Sequence, residues 1–237
     1  MSKILIVPDI HGRDFWRVIK KYDLYYIDKI IFLGDYLDPY PQEYPDLNKE
    51  ELYQKTYKNL IDIISLKKDN INKVVLLLGN HEWSYLNEDY RCSRFDEKHY
   101  IDFHNILCDN KNLFKICHIE KNYLFIHSGI SKEWLEFIGY DDKKYPSIEK
   151  YLNEEIEIPK LLMCGPSRYG PDFLSGPLWL DEREILDIFN TFLFDKYYQV
   201  FGHTKKNTAV IKKNYACLDT QQCFLLDTEI KEFSIFE

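Results

Sequence analysis

Paired cysteine motifs are missing from this chain: Cys92, Cys108, Cys117, Cys164, Cys217 and Cys223 include no Cys-x-x-Cys. In a chain of 237 residues nothing then calls for a disulfide framework, and buried thiols are the expectation. No run of about 18 or more apolar residues occurs, and no charged-then-apolar amino terminus, so neither a membrane span nor a secretory signal is visible and a cytoplasmic location is expected. Positive charge is in deficit, 31 Lys and Arg against 39 Asp and Glu for a net −8, which argues against a generic nucleic-acid binder because polyanion affinity comes from Lys and Arg neutralising phosphates. Arginine is scarce, confined to Arg13, Arg17, Arg91, Arg94, Arg168 and Arg183. No repeat and no low-complexity tract interrupts the sequence.

What is present is an apolar content of 45%, enough for a sizeable core, and five apolar runs each followed by a polar signature. The runs are Ile4–Val7, Ile30–Leu33, Val74–Leu78, Tyr123–Ile126 and Tyr198–Phe201, whose continuous apolar character suits strands buried on both faces. The signatures are Asp9-Ile-His11-Gly12, Gly34-Asp35-Tyr-Leu-Asp38, Gly79-Asn80-His81-Glu82, His127-Ser128-Gly129 and Gly202-His203-Thr204. In a layered α/β protein such strand-to-loop junctions present the chemistry. Asp9, His11, Asp35, Asn80, His127 and His203 offer carboxylate, imidazole and amide donors and no thiolate, a set suited to divalent Mn, Fe, Zn or Co. Asp35 is the candidate bridge, since one carboxylate can bind two ions roughly 3.5–4 Å apart.

Between the signatures, Phe15, Val18, Ile19 and Tyr22 fall at helical spacing, giving the start of a β-α-β alternation. The proline-rich segment 39–45 reads as a loop, and Asn48-Lys-Glu-Glu51 as a capping box for a helix carrying Leu52, Thr56, Leu60, Ile61 and Ile64 on its buried face. Helical inserts are expected near 83–117 and 131–177, the first burying Phe95, Phe103, Ile106 and Leu107. Four strands near 209–211, 216–218, 223–226 and 233–236 should complete a second sheet. Because the candidate ligands run from residue 9 to residue 203, a single domain over 1–237 is expected.

The ordered set of signatures resembles the calcineurin-like metallophosphoesterases, and within them the phosphoprotein phosphatase branch. That resemblance spans roughly Ile4 to Thr220. It implies an α/β fold, a four-layer α/β/β/α sandwich of two mixed sheets flanked by helices. It also implies two divalent ions, manganese first, with iron, zinc, cobalt or magnesium as alternatives: Asp9, His11 and Asp35 on one, Asp35, Asn80, His127 and His203 on the other. His81 would be a general acid held by Asp38. The reaction implied is hydrolysis of a phosphoester, most simply a phosphomonoester, by a hydroxide bridging the ions. Its substrate would be a phosphoprotein, a nucleotide or a small phosphoester, with neither membrane nor nucleic acid as partner. A phosphodiesterase on the same centre and a non-catalytic binding scaffold of the same fold are the alternatives.

Two departures from the family pattern matter. Lys205 in place of a second histidine fits the phosphoprotein phosphatase branch. The arginine that usually follows the second aspartate is replaced, Asp38-Pro39-Tyr40, and the arginine that follows Leu-Trp-x gives way to Asp181. Asp181 with Glu184 has the form of a helix cap ahead of Ile185, Ile188, Phe189 and Phe192. Arg168, in the glycine-containing turn before Leu178-Trp179, is the expected substitute for gripping phosphate, with Arg183 beside it; Arg13, Arg17, Arg91 and Arg94 complete the candidate pool for phosphate, with surface roles expected for most of them.

Overall fold

The first apolar run forms β1 (Lys3–Val7), followed by β2 (Lys29–Phe32) and β3 (Val74–Leu77), and these three lie parallel. The computed structural model describes residues 2–22, 24–186 and 196–237. Register aligns Val7 with Phe32 and Phe32 with Leu76, so the loops carrying Asp9, Asp35 and Asn80 leave the sheet side by side. In sequence the three are far apart. Shared register is the physical reason they meet.

This sheet has the order β11-β10-β1-β2-β3-β4, with β4 at Phe114–Lys115, β10 at Cys223–Asp227 and β11 at Glu232–Phe236. The last two strands therefore correct an expectation: they pair antiparallel onto β1 and complete the first sheet instead of the second. β1 needs a partner on its side away from β2, because a buried strand cannot leave that row of N–H and C=O groups unpaired. The segment after β1 is likewise not an α-helix. It is a 3-10 helix, Phe15–Lys21, burying Trp16 and Ile19, three residues apart and thus stacked on one side of a three-residue turn, while Tyr22 is 47% exposed.

Helix α1 (Lys49–Asp69) opens as its sequence says it should: Asn48 Oδ1 accepts from the Glu50 and Glu51 N–H groups, and Glu51 Oε2 accepts from Asn48 N–H at 2.9 Å. Its buried stripe is Leu52, Tyr53, Thr56, Asn59, Leu60, Ile63 and Ile64, so Ile63 takes the place expected of Ile61, which is exposed. Helices α2 (Asn80–Leu86) and α3 (Tyr100–Asp109) occupy the first insert, where Phe103 and Leu107 are buried and Phe95 and Ile106 half-buried.

The second sheet has the order β5-β6-β7-β9-β8, from β5 (Cys117–Glu120), β6 (Tyr123–Ile126), β7 (Tyr198–Phe201), β8 (Val210–Ile211) and β9 (Tyr215–Cys217). β6, β7 and β9 are parallel. The second insert holds α4 (Lys132–Phe137), capped by Ser131 Oγ accepting from Trp134 N–H, and short helical turns at Ile148–Lys150, Ile158–Leu161 and Glu182–Leu186. Of the apolar positions expected after Ile185, Ile188, Phe189 and Phe192 lie outside the described residues. The α/β class with two mixed sheets and accompanying helices is thus present. Each sheet sits in its own compact unit, Met1–Phe114 with Gln221–Glu237, and Lys115–Thr220. Among the described residues no helix is long and apolar enough to cross a membrane, and all six cysteines are thiols.

Candidate active site

In the first unit the three loops bring His11, Asp35 and His81 together, with one ligating atom of each within 4.8 Å of the others. His11 Nδ1–H donates to the Leu37 carbonyl at 2.8 Å, which leaves Nε2 as the lone-pair nitrogen, 3.5 Å from Asp35 Oδ2. A backbone carbonyl on the far ring nitrogen is the usual device for presenting imidazole to a metal. Burial holds the His11 imidazole well below its ordinary value, against the pull of Asp35, so it stays in the neutral, ligating form. Asp9 is buried just beyond β1. Asn80 is the first residue of α2, and its amide nitrogen donates to Cys92 Sγ at 3.2 Å, which turns the amide oxygen, the atom a metal would take, the other way. Buried carboxylate, neutral imidazole and an oriented amide fit a divalent ion by their chemistry.

His81 is built differently. Its Nδ1 lies 2.6 Å from Asp38 Oδ2, and Asp38 Oδ1 accepts from the Tyr85 hydroxyl, which itself accepts from Asp96 N–H at 2.9 Å. Burial pulls the His81 imidazole down, but Asp35 and Asp38 outweigh it and the net direction is up, toward the charged form. Two histidines whose ring centroids are 4.9 Å apart are thereby driven toward opposite protonation states. Glu82 touches none of this directly: its two oxygens accept from the N–H groups of Asp35, Tyr36 and Gly79, pinning the 34–37 loop to the start of α2. Gly79 is required there because a Cβ would sit 2.1 Å from Asp35 Oδ1. The loop backbone is strained, with His11, Asp35 and Asp38 all at positive φ.

In the second unit, β6 and β7 end together, and the Gly202 N–H donates to the His127 carbonyl at 2.8 Å. That places His127 Nε2 3.1 Å from His203 Nδ1, both residues buried. Trp179 is half-buried with its indole edge-on to His203, centroids 5.6 Å apart.

Arg168 and Arg183, the residues expected to grip phosphate, both bind Asp181. Arg168 Nε lies 2.8 Å from Oδ2, and Arg183 Nε donates to Oδ1 at 2.9 Å. Arg168 Nη2 also donates to Thr204 Oγ1 at 3.0 Å and to the His203 carbonyl at 3.3 Å. Asp181 has the expected capping role as well, its carboxylate accepting from Arg183 N–H while Glu184 Oε1 accepts from Asp181 N–H. Sequence reasoning passed over Cys92 and Tyr85, while Arg94, one of the few arginines of the chain, is already in the pool available for phosphate.

The profile of the calcineurin-like phosphoesterases matches residues 2–207. This chain belongs to the calcineurin-like phosphoesterases. It is therefore a metal-dependent phosphoester hydrolase by class, and its His and Asp side chains are of the kind that family uses for divalent metals. Two of the solved structures that share the fold illustrate the likeness. One is a cold-active protein-tyrosine phosphatase of a psychrophilic Shewanella species, at 19% identity and TM-score 0.55, covering 100% of this chain and 81% of the other. The second is a protein serine/threonine phosphatase from Saccharomyces cerevisiae, at 15% identity and TM-score 0.55, covering 100% of this chain and 80% of that one. At such identities the likeness is one of fold. No curated protein sequence matches this phosphoesterase.

Proposed function

We propose that this phosphoesterase hydrolyses phosphomonoesters at a dinuclear centre, with Asp9, His11, Asp35, Asn80, His127 and His203 as the ligands and manganese as the first metal to test. The carrying observation is the pair of histidines, His11 with its Nε2 3.5 Å from Asp35 Oδ2 and His81 held by Asp38 at 2.6 Å. Two divalent ions, when bound, supply charge neutralisation and an activated water. Asp9 and Asp35 bring the negative charge that retains such ions. His11 presents a lone pair whose direction Leu37 sets. His81, carrying a proton on Nε2, donates it to the departing oxygen, while Asp38 and Tyr85 fix the ring so that the proton points one way. The substrate is a phosphoprotein, a nucleotide or a small phosphoester.

A second reading rests on Asp181. Its carboxylate engages the guanidinium groups of Arg168 and Arg183, and a site short of cations suits the single charge of a diester better than the double charge of a monoester. Elemental analysis together with turnover of p-nitrophenyl phosphate and bis-p-nitrophenyl phosphate under Mn, Zn, Fe, Co and Mg separates the readings. Faster monoester turnover, with two ions per chain, is expected. A preference for the diester would hand the lead to a phosphodiesterase, and no turnover with any metal would leave a binding scaffold.

A further inference from the structure

Phosphate carries two negative charges that the folded protein has to meet, and five of the six arginines are otherwise engaged. Arg13 is paired with Glu43, Arg17 with Asp14 and Asp62, and Arg168 and Arg183 with Asp181. Arg91 spends Nη1 on the carbonyls of Ser84, Asn87 and Tyr90. Arg94 differs from all of them. Among the described residues no carboxylate lies within ion-pair distance of it, and its partners are neutral: Nε donates to the Asp38 carbonyl at 2.9 Å and Nη1 to Ser93 Oγ at 3.1 Å. Its Nη2 stands 3.4 Å from His81 Nε2, the nitrogen assigned to the departing oxygen.

The placement is held from two sides. The guanidinium lies over the Tyr40 ring, 3.8 Å from its centroid, and the backbone of Arg94 is left-handed at φ 64, a conformation that an arginine adopts at a cost. Tyr40 in turn packs edge-on against His11 at 5.2 Å. A half-buried cation with no carboxylate at ion-pair distance, set beside His81 and only within longer-range reach of the Asp38 carboxylate, is an anion site in waiting.

We infer that Arg94 binds the substrate's phosphate and makes this phosphoesterase select dianionic monoesters over diesters. The inference rests on the assignment of His81 as the group facing the departing oxygen. Arg94 reaches this place from the insert after α2, whereas the family pattern expects its cations after Asp38 and after Leu178-Trp179-Leu180. With Nε on the Asp38 carbonyl and one Nη1 hydrogen on Ser93 Oγ, the guanidinium still has further N–H donors on Nη1 and Nη2, a fork for phosphate oxygens that an ammonium cannot copy.

The test uses the manganese-loaded full chain. Arg94→Ala, Arg94→Gln and Arg94→Lys are compared with wild type and with Arg17→Ala, which removes a charge away from the site. Inorganic phosphate binding is read by calorimetry, KM and kcat are read for the mono- and bis-nitrophenyl esters, and metal content and melting temperature are recorded for each variant. Loss of a charge-assisted pair of hydrogen bonds corresponds to about 10- to 100-fold. Phosphate affinity and monoester kcat/KM are expected to fall by that factor in Arg94→Ala and Arg94→Gln, with partial recovery in Arg94→Lys, diester kcat/KM within about 3-fold of wild type, and metal content unchanged. Unaltered phosphate affinity in Arg94→Gln, a variant that keeps a polar side chain for the Asp38 carbonyl, overturns the inference, as does an equal fall for both esters. If wild type binds phosphate through Arg94 yet cleaves no ester, the hydrolase reading falls while the anion site stands. If wild type binds no phosphate, the site itself is refuted.

Discussion

Arg94 in the first unit and the Arg168–Arg183 pair in the second are the same kind of side chain in opposite circumstances. Arg94 donates to the Asp38 carbonyl and to Ser93 Oγ and lies against His81, whereas Arg168 and Arg183 share the buried carboxylate of Asp181. From sequence the ranking runs the other way: Arg168 sits in a turn next to Leu178-Trp179, and Arg94 looks like a surface charge. The difference teaches that a cation's use is decided by which carboxylate packs beside it. Positive charge offset by Asp181 braces the 165–184 segment. A guanidinium with no carboxylate among the described residues at ion-pair distance, beside His81, is on the inference above the one left for an anion.

The largest effect should come from the first unit. Asp35→Asn removes the carboxylate that faces both His11 and His81, and the expected outcome is loss of both ions after dialysis, with activity falling further than the about 10²–10⁴-fold typical of losing a general acid. Elemental analysis decides it; one ion retained would show that Asp35 does not bridge. His81→Asn comes next. Metal content should hold while turnover of an alkyl phosphate drops by about 10²–10⁴-fold, and nitrophenyl phosphate, whose leaving oxygen needs no proton, should lose much less. Equal losses would remove His81 from the acid's role, and lost metal would make it a ligand.

Asp181→Asn probes the other side of the comparison. Breaking the shared ion pair is expected to reduce stability by about 1–3 kcal/mol, measured by urea unfolding, with little change in diester turnover. Burial pushes the Asp181 carboxyl up, but Arg183 and Arg168 outweigh it, and the net direction is down. A carboxyl lowered on folding stabilises the protein above its unfolded value near about 4 and loses that contribution as the pH falls through its folded value. The stability gap between wild type and Asp181→Asn should therefore be full at neutral pH and close in acid. If Asp181→Asn instead raises monoester turnover, Arg168 is a phosphate ligand that Asp181 restrains. Arg183→Lys should do least, changing kcat/KM by less than about 2-fold, since its side chain is 68% exposed and such pairs contribute little.

Much of this molecule was legible in residue order. The five apolar runs became β1, β2, β3, β6 and β7, and the Asn48 cap closed as written. Local chemistry explains that success, because capping and strand burial depend on residues a few positions apart. The errors came where a choice lay between distant partners. β10 and β11 could have extended either sheet by their pattern, and hydrogen-bonding demand along β1 placed them.

The sequence by itself determined the donor types, their order and their seats at the ends of strands, since those follow from side-chain chemistry and hydrophobic pattern. Only tertiary structure decided how the histidines and arginines are used. Leu37 sets the tautomer of His11, Asp38, steadied by Tyr85, holds the His81 ring, and Asp181 takes up Arg168 and Arg183. Arg94 meets the Asp38 carbonyl across 56 positions of chain. No periodicity encodes such a meeting, because proton affinity and charge balance are properties of the space around a group, and that space is made by folding.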